Sequence, residues 1–172
     1  MKIILFLIIM LTLFSCTSVG KKSVDKLYYR FGEAPVTASE SNFLVQRPVA
    51  MGILGNRPMI AQNSDGALVQ LNHNFWLDSP KILLQNYLLQ SFNVTPDRHE
   101  NVLKTTILNL EKKGASSLLT ITFTLVDDNN EVLFQKTYKK QQTLTQNTIP
   151  AFVRSISESL KYIVKQLASD LK

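Results

Sequence analysis

The one cysteine of this 172-residue chain, Cys16, stands directly behind a run of apolar side chains at the N-terminus. Residues 3–14 are apolar apart from Thr12, and Lys2 gives the run a minimal positive start. That length fits the apolar core of a secretory signal and falls short of the about 20 apolar residues a membrane span needs. The remaining chemical inventory is sparse. His73 and His99 are the only histidines, far apart in sequence and without metal-ligand spacing, so neither zinc coordination nor a Ser-His-Asp site is signalled. No Gly-x-Ser-x-Gly elbow or phosphate-cradling glycine loop occurs. Catalysis would need a site assembled from residues distant in sequence. The expectation is a protein that is not an enzyme and holds no cofactor or metal, with both histidines in surface loops.

Leu13-Phe14-Ser15-Cys16 resembles the lipobox of bacterial lipoproteins. The resemblance implies that the Cys16 thiol becomes a diacylglyceryl thioether, that residues 1–15 are removed as a signal peptide, and that the new N-terminus is acylated. Two or more chains anchor stably where one would be marginal. The plainer alternative is an ordinary cleaved signal with an incidental cysteine. Thr17, standing where an aspartate would retain the protein at the inner membrane, implies by the same resemblance a lipid anchor on the periplasmic face of the outer membrane.

Cleavage leaves 157 residues (172 less 15), enough to bury roughly two-thirds of the unfolded surface without a staple. With Cys16 lipidated, no thiol remains for a disulfide, and packing alone must hold the domain. The chain carries 19 basic and 13 acidic side chains, but the basic ones are scattered, paired only at Lys21-Lys22, Lys112-Lys113 and Lys139-Lys140. Such scatter argues against nucleic acid and for a solvated surface, with anionic lipid headgroups as the alternative contact.

Several elements must carry these features. Residues 16–26 read as the lipidated cysteine and a polar, aperiodic tether. Its ten residues after Cys16 would reach roughly 35 Å at ~3.5 Å per residue. Residues 27–172 read as one α/β domain of the α+β type. A mixed or antiparallel sheet is expected, ending in a three-stranded meander, with two main helices packed on it. Residues 27–31 form a first strand; Phe43, Val45, Val49 and Met51 alternate on a second that Pro48 confines to an edge or bend. Arg57-Pro58-Met59-Ile60 and residues 67–71 pair through a turn at Asn63-Ser64-Asp65-Gly66, completing what reads as a compact β unit.

Ser79 as N-cap and Pro80 at the first position open a helix to about Phe92 whose apolar residues go round most of the wheel. Such a helix is covered on more than one side, by the monomer's own core or by a partner or second copy. Residues 102–110, 119–125 and the run carrying Val132, Phe134 and Tyr138 form the meander, turning at Asp127-Asp128-Asn129-Asn130. From near Pro150 a last helix presents Phe152, Val153, Ile156, Leu160, Ile163, Val164, Leu167 and Leu171 on one arc, with Arg154, Glu158, Lys161 and Lys165 away from it. Tyr162 falls on the polar side as a solvent-tolerated aromatic.

The order of these pieces is similar to the ABC-type transport auxiliary lipoprotein family, the PqiC-like proteins. A lipobox is followed by Leu27-Tyr28-Tyr29-Arg30-Phe31, then Arg57-Pro58-x-Ile60, Phe75-Trp76, Pro80 and its leucine-rich helix, the meander, and the amphipathic helix. The resemblance implies a non-catalytic auxiliary subunit of a Mce-type lipid-transport system, docking on a Mce-domain envelope protein with its ABC or membrane subunits. A lipid-binding carrier, or an accessory lipoprotein of another envelope assembly or secretion machine, is the alternative. Arg57, Pro58, Ile60 and Trp76 are the signature residues. Arg57 either pairs with a carboxylate such as Asp78 to lock the strand-to-helix corner or offers its planar fork to a partner. Trp76 either plugs the gap between sheet and helix or anchors an interface. Gln85 and Gln90 are expected on the exposed side of the first helix, within reach of a partner.

Overall fold

The computed structural model describes residues 24–37, 43–94 and 101–172. Cys16, the apolar run before it, most of the tether and His99 lie outside the described residues. Among the described residues, no helix is long and apolar enough to cross a membrane.

The described residues form one mixed sheet of eight strands with two helices. The strands are β1 (Leu27–Tyr29), β2 (Phe43–Val45), β3 (Val49–Ala50), β4 (Pro58–Gln62), β5 (Leu68–Trp76), β6 (Asn101–Lys113), β7 (Ser116–Asp127) and β8 (Val132–Thr143); the helices are α1 (Pro80–Phe92) and α2 (Ile149–Asp170). The order across the sheet is β1-β5-β4-β6-β7-β8. Strand β6 is its spine. One of its edges takes β7 antiparallel, and β2, β3 and β4 all join it in parallel, at Asn101, Thr106 and Lys112 in turn.

That arrangement corrects two expectations. The first half of the chain is not a unit of its own, because β2, β3 and β4 all find their partner in β6 of the second half. The strand carrying Phe43 to Met51 also divides at Pro48, which has no N–H to give to a ladder. Phe43 and Val45 enter the core, whereas Val49 and Met51 are each 58% exposed, so the inward alternation stops at the bend. A 3-10 turn, Gly52–Gly55, then carries the chain past the middle of β6 and into β4.

The meander follows the pattern of its residues. Asp127 Oδ1 accepts from the backbone N–H groups of Asn129 and Glu131 at 2.9 and 2.8 Å, and Asn130 takes the left-handed conformation the turn needs (φ 62°). A bulge between Ile107 and Asn109 shifts the alternation of β6, so Leu103 and Ile107 before it and Leu110 after it all reach the core. Helix α2 lays its apolar stripe on this face: Phe152, Ile156, Leu160, Ile163, Val164 and Leu167 are buried, and Arg154, Glu158, Lys161 and Lys165 are exposed. Tyr162 is exposed too, with Lys140 Nζ 4.3 Å from its ring centroid.

Glu111 carries one local cost. It is 3% exposed on β6, and its Oε2 has no hydrogen-bond partner. Burial pushes its carboxyl above the usual range, against the opposing pull of Lys113 and a hydrogen bond from Asn109. An acid whose folded pKa is raised is most stabilising when protonated in both states. Stability is therefore lost as pH rises from the unfolded value of about 4.3 through the raised folded value, and stays lower above it. Glu111→Gln should raise the denaturation midpoint at pH 7 and leave it nearly unchanged at pH 3. Equal gains at both pH values would show that charge burial is not the cause.

Candidate functional site

Arg57, Pro58 and Trp76 meet at the corner where β5 ends and α1 begins, whereas Ile60 pairs farther back along β5, opposite Gln70. Ser79 caps α1, its side-chain oxygen accepting from the Ile82 N–H at 3.4 Å, and Pro80 needs no partner at the first position. Asp78 Oδ1 accepts from the Ser79 N–H at 2.7 Å, so its carboxylate turns toward the helix start and not toward Arg57. Arg57 does lock the corner, by a different route from the ion pair expected with Asp78. Its Nε donates to the Trp76 carbonyl at 3.3 Å and its Nη2 to the Leu77 carbonyl at 2.8 Å, while the Trp76 N–H donates to the Arg57 carbonyl at 2.7 Å. A planar fork satisfies two adjacent carbonyls as readily as one carboxylate. On the helix-free face the guanidinium lies 5.3 Å from the Tyr28 ring centroid, Tyr28 lies 5.6 Å from Phe75, and Lys26 Nζ 5.7 Å from Phe75.

Trp76 is the plug. It is 1% exposed, in edge contact with Phe31 at 5.1 Å and tilted against Phe152 of α2 at 6.2 Å, so it is no surface anchor. Ile60, 2% exposed, is likewise closed to a partner, and Pro58 opens β4 opposite Phe75. Trp76 shapes the corner from within.

Helix α1 is covered on two flanks by its own chain. Residues 30–37 cross it as an irregular strap: the Thr37 N–H and hydroxyl both donate to the Ser91 carbonyl (2.8 and 2.6 Å), and the Tyr87 hydroxyl donates to the Glu33 carbonyl at 3.4 Å. Burial pushes the Tyr87 hydroxyl up to about 12, so it stays a neutral donor. On the other flank Gln85 Nε2 donates to the Val45 carbonyl of β2 at 3.3 Å. Gln85 therefore holds helix to sheet and does not face outward, contrary to expectation. Gln90 is exposed as expected.

Between the strap, the corner and α1 lies an open cleft of about 420 Å³. Arg30 and Glu33 line it from the strap, Leu77 and Asp78 from the corner, and Asn86 and Gln90 from the helix. Phe31, Leu83 and Tyr87 line it too, so the cleft offers hydrogen bonds of both kinds, charges of both signs and apolar surface, the mixed lining a polypeptide segment can use. The helical spacing of four between Asn86 and Gln90 is the signal in the sequence that would have found the pair. His73, expected in a loop, sits exposed on β5, which runs nine residues to Trp76. Among the described residues no three His, Cys, Asp or Glu side chains gather as a ligand set for a metal.

No family model and no curated protein matches this chain. Solved structures do resemble it. Protein XCC0632 from Xanthomonas campestris, described as belonging to family DUF330, superposes with a TM-score of 0.71 at 13% identity, over 82% of this chain and 92% of its own. A second crystal structure, of an uncharacterized protein, gives a TM-score of 0.71 at 14% identity over 86% of this chain and 99% of that one. Both are likenesses of fold.

Proposed function

We propose that this protein is a lipid-anchored periplasmic lipoprotein of the outer membrane. It serves, without catalysis of its own, as a docking subunit of a Mce-type ABC lipid-transport system of the PqiC-like kind. The observation that carries the docking role is the corner: a strand-to-helix junction, stapled by Arg57 and plugged by Trp76, beside an open cleft of mixed polar and apolar lining. The residue order resembling the auxiliary lipoproteins supplies the system, and Leu13-Phe14-Ser15-Cys16 supplies the anchor. A carrier would need an apolar cavity between sheet and helices. That space is occupied here by Trp76, Phe92, Phe123 and Phe152, which weighs against the carrier.

Two measurements test the proposal. Intact mass of the membrane-extracted protein should show Cys16 as the acylated N-terminus, and Cys16→Ser should stay folded while leaving the membrane fraction; an unmodified thiol overturns the anchor. The wild type should co-purify a Mce-domain protein, and Asn86→Lys with Gln90→Lys should abolish that capture. Both residues are exposed, so stability should change by about 0.5 kcal/mol or less per site. Unchanged capture by the folded double variant removes the cleft from the interface. No capture by the wild type removes the Mce system.

A further inference from the structure

The two outer edges of the sheet differ greatly. Strand β1 is three residues long, whereas β8 runs for twelve, and its far side has no strand beside it among the described residues. Within a strand, alternate residues turn their N–H and C=O groups to each side, so a twelve-residue edge offers about six outward sets. Proteins usually blunt such an edge by shortening it or interrupting it with proline. Beyond one irregularity at its start, between Val132 and Phe134, β8 does neither.

Its protection is charge of one sign. Strand β8 carries Lys136, Lys139 and Lys140 and no acidic residue. Lys136 and Lys140 share the helix side of the sheet with Tyr138, and α2 runs alongside with Lys161 and Lys165 exposed. Asp170 answers the end at Lys136, accepting from Lys136 Nζ at 2.8 Å and from the Tyr138 hydroxyl, and at the other end Glu158 lies beside Gln142 and Thr143 together with Arg154, leaving the lysines of the middle unanswered. A second copy paired edge to edge through β8 would set lysine against lysine, which is destabilising for facing strand residues. A strand with acidic side chains at alternate positions would set carboxylates beside Lys136 and Lys140.

We propose that the open edge of β8 is a docking site for an extended acidic segment of a partner protein, added as a further strand of the sheet. Main-chain hydrogen bonds would supply the attachment and the lysine row the choice of sign. A lipid surface would use the lysines but has no use for a row of strand N–H and C=O groups. The inference stands apart from the cleft beside α1 and from the lipid anchor.

Amide-resolved NMR of the purified full chain tests it, with a ten-residue peptide alternating glutamate with valine and threonine as probe. The expected result is shifts confined to residues 134–142, with exchange of the outward amides of β8 slowed at least tenfold. Lys140→Glu should weaken the probe tenfold or more without lowering the denaturation midpoint, and Lys139→Glu, on the other face, should weaken it less. A peptide with lysine in place of each glutamate, or one carrying a central proline, should not bind. No binding of the acidic probe, equal binding of the lysine peptide, or shifts placed in the cleft would overturn the proposal. So would phosphatidylglycerol vesicles displacing the probe from the same amides, or dimers forming through β8 in sedimentation.

Discussion

Trp76→Ala should lower the free energy of unfolding by about 3–5 kcal/mol, the range for truncating a large aromatic in a packed core. Three elements converge on that one ring: the end of β5 supplies it, Phe31 of the strap meets its edge, and Phe152 of α2 tilts against it. Its loss opens a cavity at the junction of sheet, strap and helix, where no neighbour can close in without moving another. Arg57→Ala sets the scale for comparison. It removes two exposed or half-buried hydrogen bonds to backbone carbonyls, each worth about 0.5–1.5 kcal/mol, and leaves the core filled. Denaturant titration followed by far-ultraviolet circular dichroism should therefore rank Trp76→Ala well below Arg57→Ala. The reverse order would mean that the staple, and not the plug, holds the corner.

The second large effect belongs to α2. Leu160 is 1% exposed near the centre of the buried stripe, and Leu160→Ala should cost about 2–5 kcal/mol. Lys161, one residue on, is exposed, and Lys161→Ala should change stability by about 0.5 kcal/mol or less. Midpoints that coincide for these two variants would show that the helix does not pack by this face.

Where the fold was legible, the signals were local and redundant. Ser79 and Pro80 announced the start of α1 by cap chemistry, the alternation of Leu119, Ile121 and Phe123 with threonines announced β7, and the apolar spacing of α2 gave its buried face. What escaped was nonlocal. Nothing within residues 43–51 says that its two short strands lie parallel to β6, since neither partner's register is written in the other's pattern. Arg57 shows the same limit at the candidate site. A nearby aspartate is visible in sequence as a partner, whereas two carbonyl groups look like those of every other residue until the chain turns them toward the guanidinium. Gln85 faces the sheet against expectation because a helix that is apolar nearly all round gives little sense of which side is out.

The parallel seam along β6 also orders events in time. Strands β2, β3 and β4 precede their common partner in the chain, with β5 and α1 between. A polypeptide made from its N-terminus therefore presents Val45 58 positions before Leu103, the residue it pairs with. At roughly 5–20 residues per second, that interval lasts several seconds. During it, β4 can already pair with β5, but Phe43 and Val45 lack the β6 ladder they join in the fold. The meander and α2, whose contacts are close in sequence, are expected to form first once synthesised, and to provide the template on which the earlier strands close. The hazard of misassociation thus falls on the chain in the interval before β6 is available to β2 and β3, whether that interval is set by synthesis or by passage into the compartment where the domain folds.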